Sequence, residues 1–349
     1  MVMPQNKIFA KLIKASRPAE FTNTIVFSVD ATYLPYAIFV ANQILSKEPD
    51  LALDICICLP DLSAVPENFI ASKIRFIEIA IEGLEILPVG KLSLSAYHRL
   101  FLPELLAADY QYLIYLDADT YILRPFSEEA LKIIDSFDES FCVAAAMDIC
   151  ELQIETVDKN KLNKVQTYVS QYHKHGHIYR NSGVLIFNVK NYLEKDCRNK
   201  IIAYAFDHIQ YLQCHDQSAL NGALLKEIAL LPFSFNWQVH KLTYNSLDEY
   251  KPYILHFIGE NKPWSLINHL TYSYYNDYLE FFNSHYQTVN LDILSQYDRR
   301  LQQPKYGNKV KETISRESQR LKQKLLLKHT TPHRHLNKIK TSLAEKGLV

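Results

Sequence analysis

Short apolar segments alternate with helical patterns along the first half of the sequence, and this alternation constrains the fold most strongly. The segments typical of β-strands are 24–29, 51–59, 74–79, 112–116 and 141–146. Helical spacing lies between them at 34–46 and 95–108. Strands that alternate with helices form mostly parallel sheets with helices on both faces. The sequence therefore predicts an α/β fold built on a mostly parallel sheet.

Acidic residues stand at or next to the ends of three predicted strands. Asp30, Asp117 and Asp148 each follow an apolar run. In open α/β sheets, ligands bind in the crevice outside the carboxyl ends of the strands. We therefore expect these carboxylates to converge on one crevice. The chain has 8 Gly and neither a G-x-G-x-x-G nor a Walker A pattern, so a Rossmann-type site is not expected.

The Asp117-Ala118-Asp119 motif is a candidate metal site. Two carboxylates two residues apart, directly after a strand, can reach one ion from the same side. Hard oxygen ligands suit Mg²⁺ or Mn²⁺, and two carboxylates leave coordination positions open for diphosphate oxygens. A polar loop without a ligand is the alternative, because this pattern occurs by chance in many proteins.

A second candidate cluster lies at 256–264. His256 follows a predicted strand and can supply a neutral imidazole as a third metal ligand. Gly259 allows the backbone to approach a phosphate closely, and Lys262 offers a point charge for it. The alternative is a capped turn with Trp264 in the core.

Six short motifs follow one another within about residues 23–285. They are FSVDATY (27–33), SAYHRL (95–100), YLDAD (115–119), NSGVLIFN (181–188), HDQSALN (215–221) and HFIGENKPW (256–264). Together they resemble the family 8 glycosyltransferases, retaining enzymes that include bacterial lipopolysaccharide galactosyl- and glucosyltransferases and, more distantly, glycogenin. The resemblance implies a single nucleotide-diphospho-sugar transferase domain of the GT-A type, with a mostly parallel mixed sheet flanked by helices.

The resemblance also implies a role for each matching position. Asp117, Asp119 and His256 would bind Mn²⁺ or Mg²⁺, and a UDP-hexose would be the donor. The other donor-binding positions would be Asp30, Thr32 and Tyr33 at the uridine, Arg99 and Ala118 near the donor, and Gly259 and Lys262 at the diphosphate. The catalytic positions around the donor sugar and the acceptor hydroxyl would be Asp148, Asn181, Asp216 and Gln217.

The sequence departs from the family pattern at two places, and simpler roles stay open at others. Ala31 and Thr32 stand where many relatives have an acidic residue and an Asn, so a base or ribose contact is expected to differ. Ser218 replaces the second acid of Asp-Gln-Asp. The simpler roles are a turn cap for Asp148, a helix-surface ion pair for Arg99, and a helix N-cap for Asp30 that still faces the ligand.

Retention of configuration can follow two routes. Double displacement needs a carboxylate on the face opposite the leaving group, and Asp216 is the nearby candidate. Gln217 is a poor nucleophile. We therefore expect front-face attack, with the acceptor hydroxyl deprotonated in part by the leaving phosphate.

The C-terminal part of the chain is strongly basic. Residues 299–349 contain 14 Lys/Arg and 3 Asp/Glu, although the whole chain has no net charge. Val310, Ile314, Leu321 and Leu325 have helical spacing there. A basic amphipathic helix predicts binding to an anionic membrane surface. A solvated tail is the alternative, and nucleic acid is not expected because nothing else in the chain supports it.

These patterns divide the chain into a polar lead-in (1–22), a catalytic domain (23–285) and a helical basic region (286–349). The predicted activity is a UDP-sugar-dependent hexosyltransferase that acts on a glycan or lipid-linked glycan such as lipopolysaccharide. The alternatives are a glycogenin-like self-glucosylating primer and a non-catalytic nucleotide-sugar-binding protein.

We see no secretory signal and no run of about 18 apolar residues. We therefore expect a cytoplasmic protein, peripheral on the inner face of the membrane.

Overall fold

The computed structural model describes residues 8–87, 94–156, 164–173, 176–209, 212–264, 268 and 270–286. The chain falls into two compact units, Met1–His256 and Phe257–Val349. The strands of the first unit are β1 (Phe9–Ala15), β2 (Asn23–Ser28), β3 (Asp54–Leu59), β4 (Ile74–Glu82), β5 (Tyr112–Leu116), β6 (Thr120–Ile122), β7 (Val143–Met147), β8 (Arg180–Asn188), β9 (Ile228–Leu231), β10 (Trp237–Gln238) and β11 (Ile254–His256).

The α-helices of the first unit cover the sheet. They are α1 (Leu34–Lys47), α2 (Glu67–Ile70), α3 (Leu102–Leu105), α4 (Ser127–Ser136), α5 (Ile149–Thr156), α6 (Lys164–His173), α7 (Val189–Glu194), α8 (Cys197–Asp207), α9 (His215–Ala223) and α10 (Leu247–Tyr250). The helix predicted at 95–108 is instead a 3₁₀ segment, Leu94–Leu100, followed by α3. Pro103 lies in the first turn of α3 and has no N–H, so one continuous helix cannot run through it.

The main sheet has eight strands in the order β1-β4-β3-β2-β5-β8-β7-β9. Six of them run in one direction, while β1 and β8 run in the opposite direction. This confirms the predicted mostly parallel mixed sheet with helices around it. Since β8 is antiparallel to both β5 and β7, its first residues lie beside the last residues of these neighbours. The ends of the strands that precede the acidic residues therefore lie at the same edge of the sheet.

A small second sheet has the order β10-β11-β6. Strand β6 begins directly after Asp119, and its first residue, Thr120, pairs with His256 at the end of β11. This register places His256 beside the Asp117-Ala118-Asp119 motif, although more than a hundred residues separate them in the sequence.

The lead-in at 1–22 contains a strand that the sequence analysis missed. Strand β1 pairs with β4 at the edge of the main sheet. Its side chains Phe9 and Ile13 are exposed, and Lys11 and Lys14 break the apolar pattern. An edge strand with one solvated face does not need the apolar run that identifies a buried strand.

Asp54, at the start of β3, connects the segment after β1 to the core. Its buried carboxylate accepts hydrogen bonds from the Glu20 and Phe21 amides, at 2.9 and 3.2 Å, and from the Tyr110 hydroxyl at 3.0 Å. It also forms an ion pair with Arg17 at 2.8 Å. Burial alone would raise the pKa of Asp54, but these donors outweigh it and hold the pKa below 3.8.

We expect Asp54→Ala to lower the free energy of unfolding by about 3–5 kcal/mol, because it leaves Arg17 and several donors without their buried acceptor. Urea denaturation at neutral pH measures this loss. The exposed Asp135→Ala on α4 is the control and should change stability by less than about 0.5 kcal/mol. Because the folded pKa is depressed, the contribution is complete above pH 3.8 and is lost as the pH falls through the folded value. If Asp54→Ala lost as much stability below the folded pKa of Asp54 as at neutral pH, the ionised Asp54 carboxylate would not be the source of this stability.

The second unit contains an aromatic helix, α11 (Tyr272–His285). Tyr278 and Phe282 are fully buried, and the Trp264 ring lies 5.1 Å from that of Tyr278. Gly259 has a φ of 62°, in the left-handed region that favours glycine, and Lys262 donates a hydrogen bond to the Phe257 carbonyl. Trp264 packs on α11, and this supports for Trp264 the alternative of a structural turn whose tryptophan packs against the protein.

The predicted basic helix, with Val310, Ile314, Leu321 and Leu325, lies outside the described residues, as does all of 287–349. Within the part of the chain that the structure describes, no helix has the length and apolar character needed to cross a bilayer.

Candidate active site

Three candidate metal ligands meet where β5 ends. Asp117, Asp119 and His256 each offer a ligand atom, and these atoms lie within 4.8 Å of one another. The Thr120 amide donates to the Asp117 carbonyl at 3.2 Å, and this turn brings Asp119 back towards Asp117. His256 Nε2 lies 3.2 Å from Asp119 Oδ1. Two carboxylates and an imidazole on one side of a potential ion are a donor set that suits Mn²⁺ or Mg²⁺.

Gly183 on β8 makes the position of His256 possible. Its carbonyl accepts a hydrogen bond from the Asp117 amide at 2.8 Å. A Cβ atom at residue 183 would lie 2.6 Å from His256 Nδ1 and 2.9 Å from Nε2, closer than van der Waals contact allows. The imidazole therefore occupies the space that a side chain at this position would need.

Arg99 joins the candidate metal site to Asp216. Its guanidinium lies 3.1 Å from the Asp117 carboxylate and 3.2 Å from that of Asp216. It also donates to the Ser182 carbonyl at 2.6 Å. Tyr115, whose hydroxyl donates to Asp117 at 2.6 Å, lies under the guanidinium. Arg99 is thus a buried bridge between two carboxylates, and the simpler alternative of a helix-surface ion pair is wrong.

Asp216 is buried in the first turn of α9. Burial raises its pKa from 3.8 to about 6; the Arg99 guanidinium opposes this shift, and the Asp117 charge adds to it. The carboxylate of Asp216 is therefore held in place by Arg99 and stays largely ionised at neutral pH.

The Asp148 carboxylate accepts hydrogen bonds from the side-chain amides of two other predicted site residues. Asn181 Nδ2 and Gln217 Nε2 donate to Asp148 Oδ2, at 3.0 and 3.1 Å. The second carboxylate oxygen accepts from the Cys150 amide at 2.8 Å, so Asp148 also caps the turn that begins α5. Gln217 Oε1 accepts from the Ser182 amide at 3.0 Å. Asp148, Asn181 and Gln217 therefore form one buried polar cluster, and their role at the donor sugar stays a prediction.

Asn236 is a site residue that the sequence analysis missed. It is fully buried, its Nδ2 donates to Asn181 Oδ1 at 2.8 Å, and its Oδ1 lies 3.0 Å from His256 Nδ1. Because Asp148 accepts from Asn181 Nδ2, the amide of Asn181 must present its oxygen to Asn236. Asn236 then presents its own oxygen to His256, so Nδ1 carries the proton and the Nε2 lone pair faces Asp119. No motif spacing singles out Asn236.

We expect Asn236→Leu to lower the affinity for Mn²⁺ about 10- to 100-fold, because the partner that fixes the tautomer and orientation of a metal-binding histidine is lost. Electron paramagnetic resonance of free Mn²⁺ measures this affinity. Asn191→Leu is the control for the loss of a hydrogen-bonded side-chain amide, since Asn191 Nδ2 donates to the Glu139 and Phe141 carbonyls, at 2.6 and 2.8 Å. Equal Mn²⁺ affinities for the two variants would show that Asn236 does not orient His256.

Asp30 and Tyr33 lie close to the same carboxylates. Asp30 Oδ1 accepts from the amides of Thr32 and Tyr33, at 2.9 and 3.1 Å, so it shapes the turn that leads into α1. Tyr33 is exposed at its ring. Partial burial raises the pKa of the Tyr33 phenol, and the charges of Asp119, Asp30 and Asp117 add to the shift. Tyr33 is therefore a partly exposed aromatic residue whose phenol lies within the electrostatic influence of the Asp117-Ala118-Asp119 motif.

The structure thus brings together most of the predicted site residues in the first unit. Thr32 is exposed in the turn after Asp30, and Ala118 lies buried between the two carboxylates. Gly259 and Lys262 belong to the second unit, so their assignment to the diphosphate stays a prediction.

Similarities to known proteins agree with this geometry. General stress protein A of Bacillus subtilis is 24% identical over 239 residues, which cover 63% of this chain and 73% of that protein. The galactosyltransferase LgtC, solved in complex with donor and acceptor sugar analogs, has a TM-score of 0.61 at 20% identity over 78% of this chain and 99% of LgtC. The bifunctional glycosyltransferase WbbM has a TM-score of 0.55 at 19% identity over 80% of this chain and 52% of WbbM.

The structural likeness establishes the GT-A-like fold, and the sequence match establishes the family. Residues 24–268 match the family described as glycosyl transferase family 8, and this segment includes every candidate site residue discussed above. The chain belongs to glycosyl transferase family 8 and is a glycosyltransferase.

Proposed function

We propose that the chain is a metal-dependent, retaining hexosyltransferase that transfers galactose or glucose from a UDP-sugar to a glycan acceptor. The observation that supports it most directly is the meeting of Asp117, Asp119 and His256, with ligand atoms within 4.8 Å of one another. A divalent ion held there would neutralise the charge that develops on the departing UDP.

The proposed donor site extends from the Asp117-Ala118-Asp119 motif to Tyr33. The exposed ring of Tyr33 would stack on the uracil, while Asp30 and Thr32 would line the ribose side. Lys262 and the backbone at Gly259 are proposed to bind the diphosphate and to stabilise its charge in the transition state. Arg99 is committed to Asp117 and Asp216, so we assign it a positioning role at the donor sugar.

The environment of Asp216 supports front-face transfer. Its carboxylate is buried and lies 3.2 Å from the Arg99 guanidinium, which lowers its nucleophilicity and restricts its movement towards an anomeric carbon. The amide of Gln217 is engaged on both sides by Asp148 and Ser182. We therefore propose that the acceptor hydroxyl attacks from the face of the leaving group and passes its proton to the leaving phosphate. A glycosyl adduct trapped on Asp216 would contradict this route.

We propose that the acceptor is a lipopolysaccharide core or another surface glycan, presented at the inner face of the cytoplasmic membrane. The basic composition of 299–349 supports this, since each Lys or Arg near an anionic surface contributes roughly 1 kcal/mol of binding. Co-sedimentation with phosphatidylserine-containing liposomes tests it. Equal binding by the full chain and by a chain that ends at residue 299 would rule out membrane attachment through this segment.

A panel of UDP-sugars tests the activity itself. We expect hydrolysis or transfer of UDP-galactose or UDP-glucose with Mn²⁺, and none in the presence of a chelator. UDP release that is insensitive to chelation would exclude the proposed metal role. The absence of turnover and of UDP binding across the panel would exclude the proposed donor class.

A further inference from the structure

Contacts of its main chain hold Arg180 at the edge of the site. It is the first residue of β8, it pairs with Met147 on β7, and it precedes Asn181. The Asn221 side chain holds both of its backbone groups, by accepting from the Arg180 amide at 2.7 Å and donating to the Arg180 carbonyl at 2.8 Å. Arg180 therefore lies beside Asp148. Hydrogen bonds connect Asp148 through Asn181 and Asn236 to His256, so Arg180 is at the end of this chain opposite to the metal ligands.

Among the residues that the structure describes, Arg180 forms no ion pair with a carboxylate, in contrast to Arg99. Arg180 Nη1 donates to the Ile178 carbonyl, and its enclosed Nε has no hydrogen-bond partner. Within the described ranges, no Asp or Glu oxygen forms an ion pair with Arg180. Burial lowers the pKa of Arg180 to about 10, and the more distant charge of Glu151 opposes the shift only in part.

Glu151, whose charge acts on Arg180, forms its direct contacts with other partners. Its carboxylate lies 2.7 Å from His173 Nε2 and accepts from the Tyr179 amide at 2.6 Å. A half-buried cation without a direct ion pair costs free energy, so such a residue at the edge of a binding site indicates a ligand that supplies the missing partner. A planar guanidinium suits a carboxylate or phosphate, which it can bind through two parallel hydrogen bonds.

We propose that Arg180 binds an oxyanion of the acceptor, a phosphate or a carboxylate, on the side of the site away from the metal ligands. The proposal rests on the proposed glycosyl transfer, and it adds that the preferred acceptor is acidic. The donor is a less suitable partner, because its diphosphate is proposed to bind at the metal that Asp117, Asp119 and His256 would hold.

The side-chain Nε–H signal of Arg180 tests the proposal in the full chain. The protein is labelled with ¹⁵N-arginine and saturated with Mg²⁺ and UDP. The Arg180 signal is identified as the one that is missing from the spectra of the Arg180→Lys and Arg180→Gln variants. We expect it to shift saturably with inorganic phosphate or with acetate, beyond the change produced by sodium chloride at equal ionic strength. The two titrations distinguish a phosphate from a carboxylate site.

Two other arginines are internal controls in the same spectra. Arg99 is engaged by Asp117 and Asp216, and Arg124, which lies 3.5 Å above the Tyr253 ring, donates to the Lys251 carbonyl. Neither signal should follow the anion titration. If Arg180 shifts no more than these two with both anions, the proposal is wrong.

Kinetics with paired acceptors give a second readout. Arg180→Gln should reduce the ratio of kcat/KM for a phosphorylated or carboxylated acceptor over its neutral counterpart by about tenfold or more, whereas Arg124→Gln should leave this ratio unchanged. An unchanged ratio in Arg180→Gln would overturn the proposal. Failure of UDP to perturb any signal would instead count against the proposed donor, and the titration of Arg180 would still report on the oxyanion site.

Discussion

Asp119→Ala should abolish Mn²⁺-dependent turnover of the UDP-sugar, with a fall in kcat/KM of about 1,000-fold or more. The variant lacks one of three ligands, and removal of about 4 kcal/mol of transition-state stabilisation at the departing UDP corresponds to a rate loss of this size. His256→Ala should behave in the same way, because Nε2 of the imidazole lies 3.2 Å from Asp119 and belongs to the same ligand set. Steady-state UDP release across Mn²⁺ concentrations measures both losses.

A matched aspartate separates this loss from a general effect on folding. Asp61 caps a short 3₁₀ turn, where its carboxylate accepts from the Ser63 amide and hydroxyl, at 2.8 and 2.7 Å, on the surface. Asp61→Ala should keep both its Mn²⁺ affinity and its turnover. Asp119→Ala should retain wild-type stability in urea while its Mn²⁺ affinity falls. Near-normal transfer by Asp119→Ala or His256→Ala would refute the assignment of the metal site.

The ends of two buried strands, β5 and β7, could be predicted from the sequence because each is a short apolar run followed by an aspartate. Strand β5 was predicted with its observed bounds, Tyr112–Leu116, and the positions of Asp117 and Asp119 follow from this. His256 could be proposed as a ligand from its place after a predicted strand and from the family motif, but its position beside Asp119 could not be predicted. The register that brings it to Thr120 involves two strands of three residues each, which are too short to show a periodic pattern.

Contacts between side chains distant in sequence could not be predicted. Asn236 and Ser182 contribute through an amide, a carbonyl and a hydroxyl, and such groups occur throughout any sequence. Asp148 was expected either to cap a turn or to face the sugar site. The structure shows the cap and the hydrogen bonds to two site amides at once, because a carboxylate has two oxygens.

Gly183 offers a test of the site in which no polar group is changed. Its φ is not in the left-handed region, so an alanine can adopt its backbone conformation. The added methyl group would lie 2.6 Å from His256 Nδ1. To relieve this overlap, the ring must move away from Asn236, or the Asp117–Gly183 hydrogen bond that joins β8 to the motif must lengthen. Either movement displaces a metal ligand.

We therefore expect Gly183→Ala to lower the Mn²⁺ affinity and kcat/KM by about 100-fold, comparable to the loss of a residue that supports a metal ligand, and stability by about 1–3 kcal/mol. Gly222→Ala on α9 is the control for overpacking, because its Cβ would lie 2.5 Å from the Tyr204 hydroxyl, at the far end of a half-buried side chain. Tyr204 can swing away, so this variant should lose stability while it keeps its Mn²⁺ affinity. If Gly183→Ala bound Mn²⁺ as tightly as Gly222→Ala, the imidazole of His256 could not occupy the position beside Asp119 on which the metal site depends.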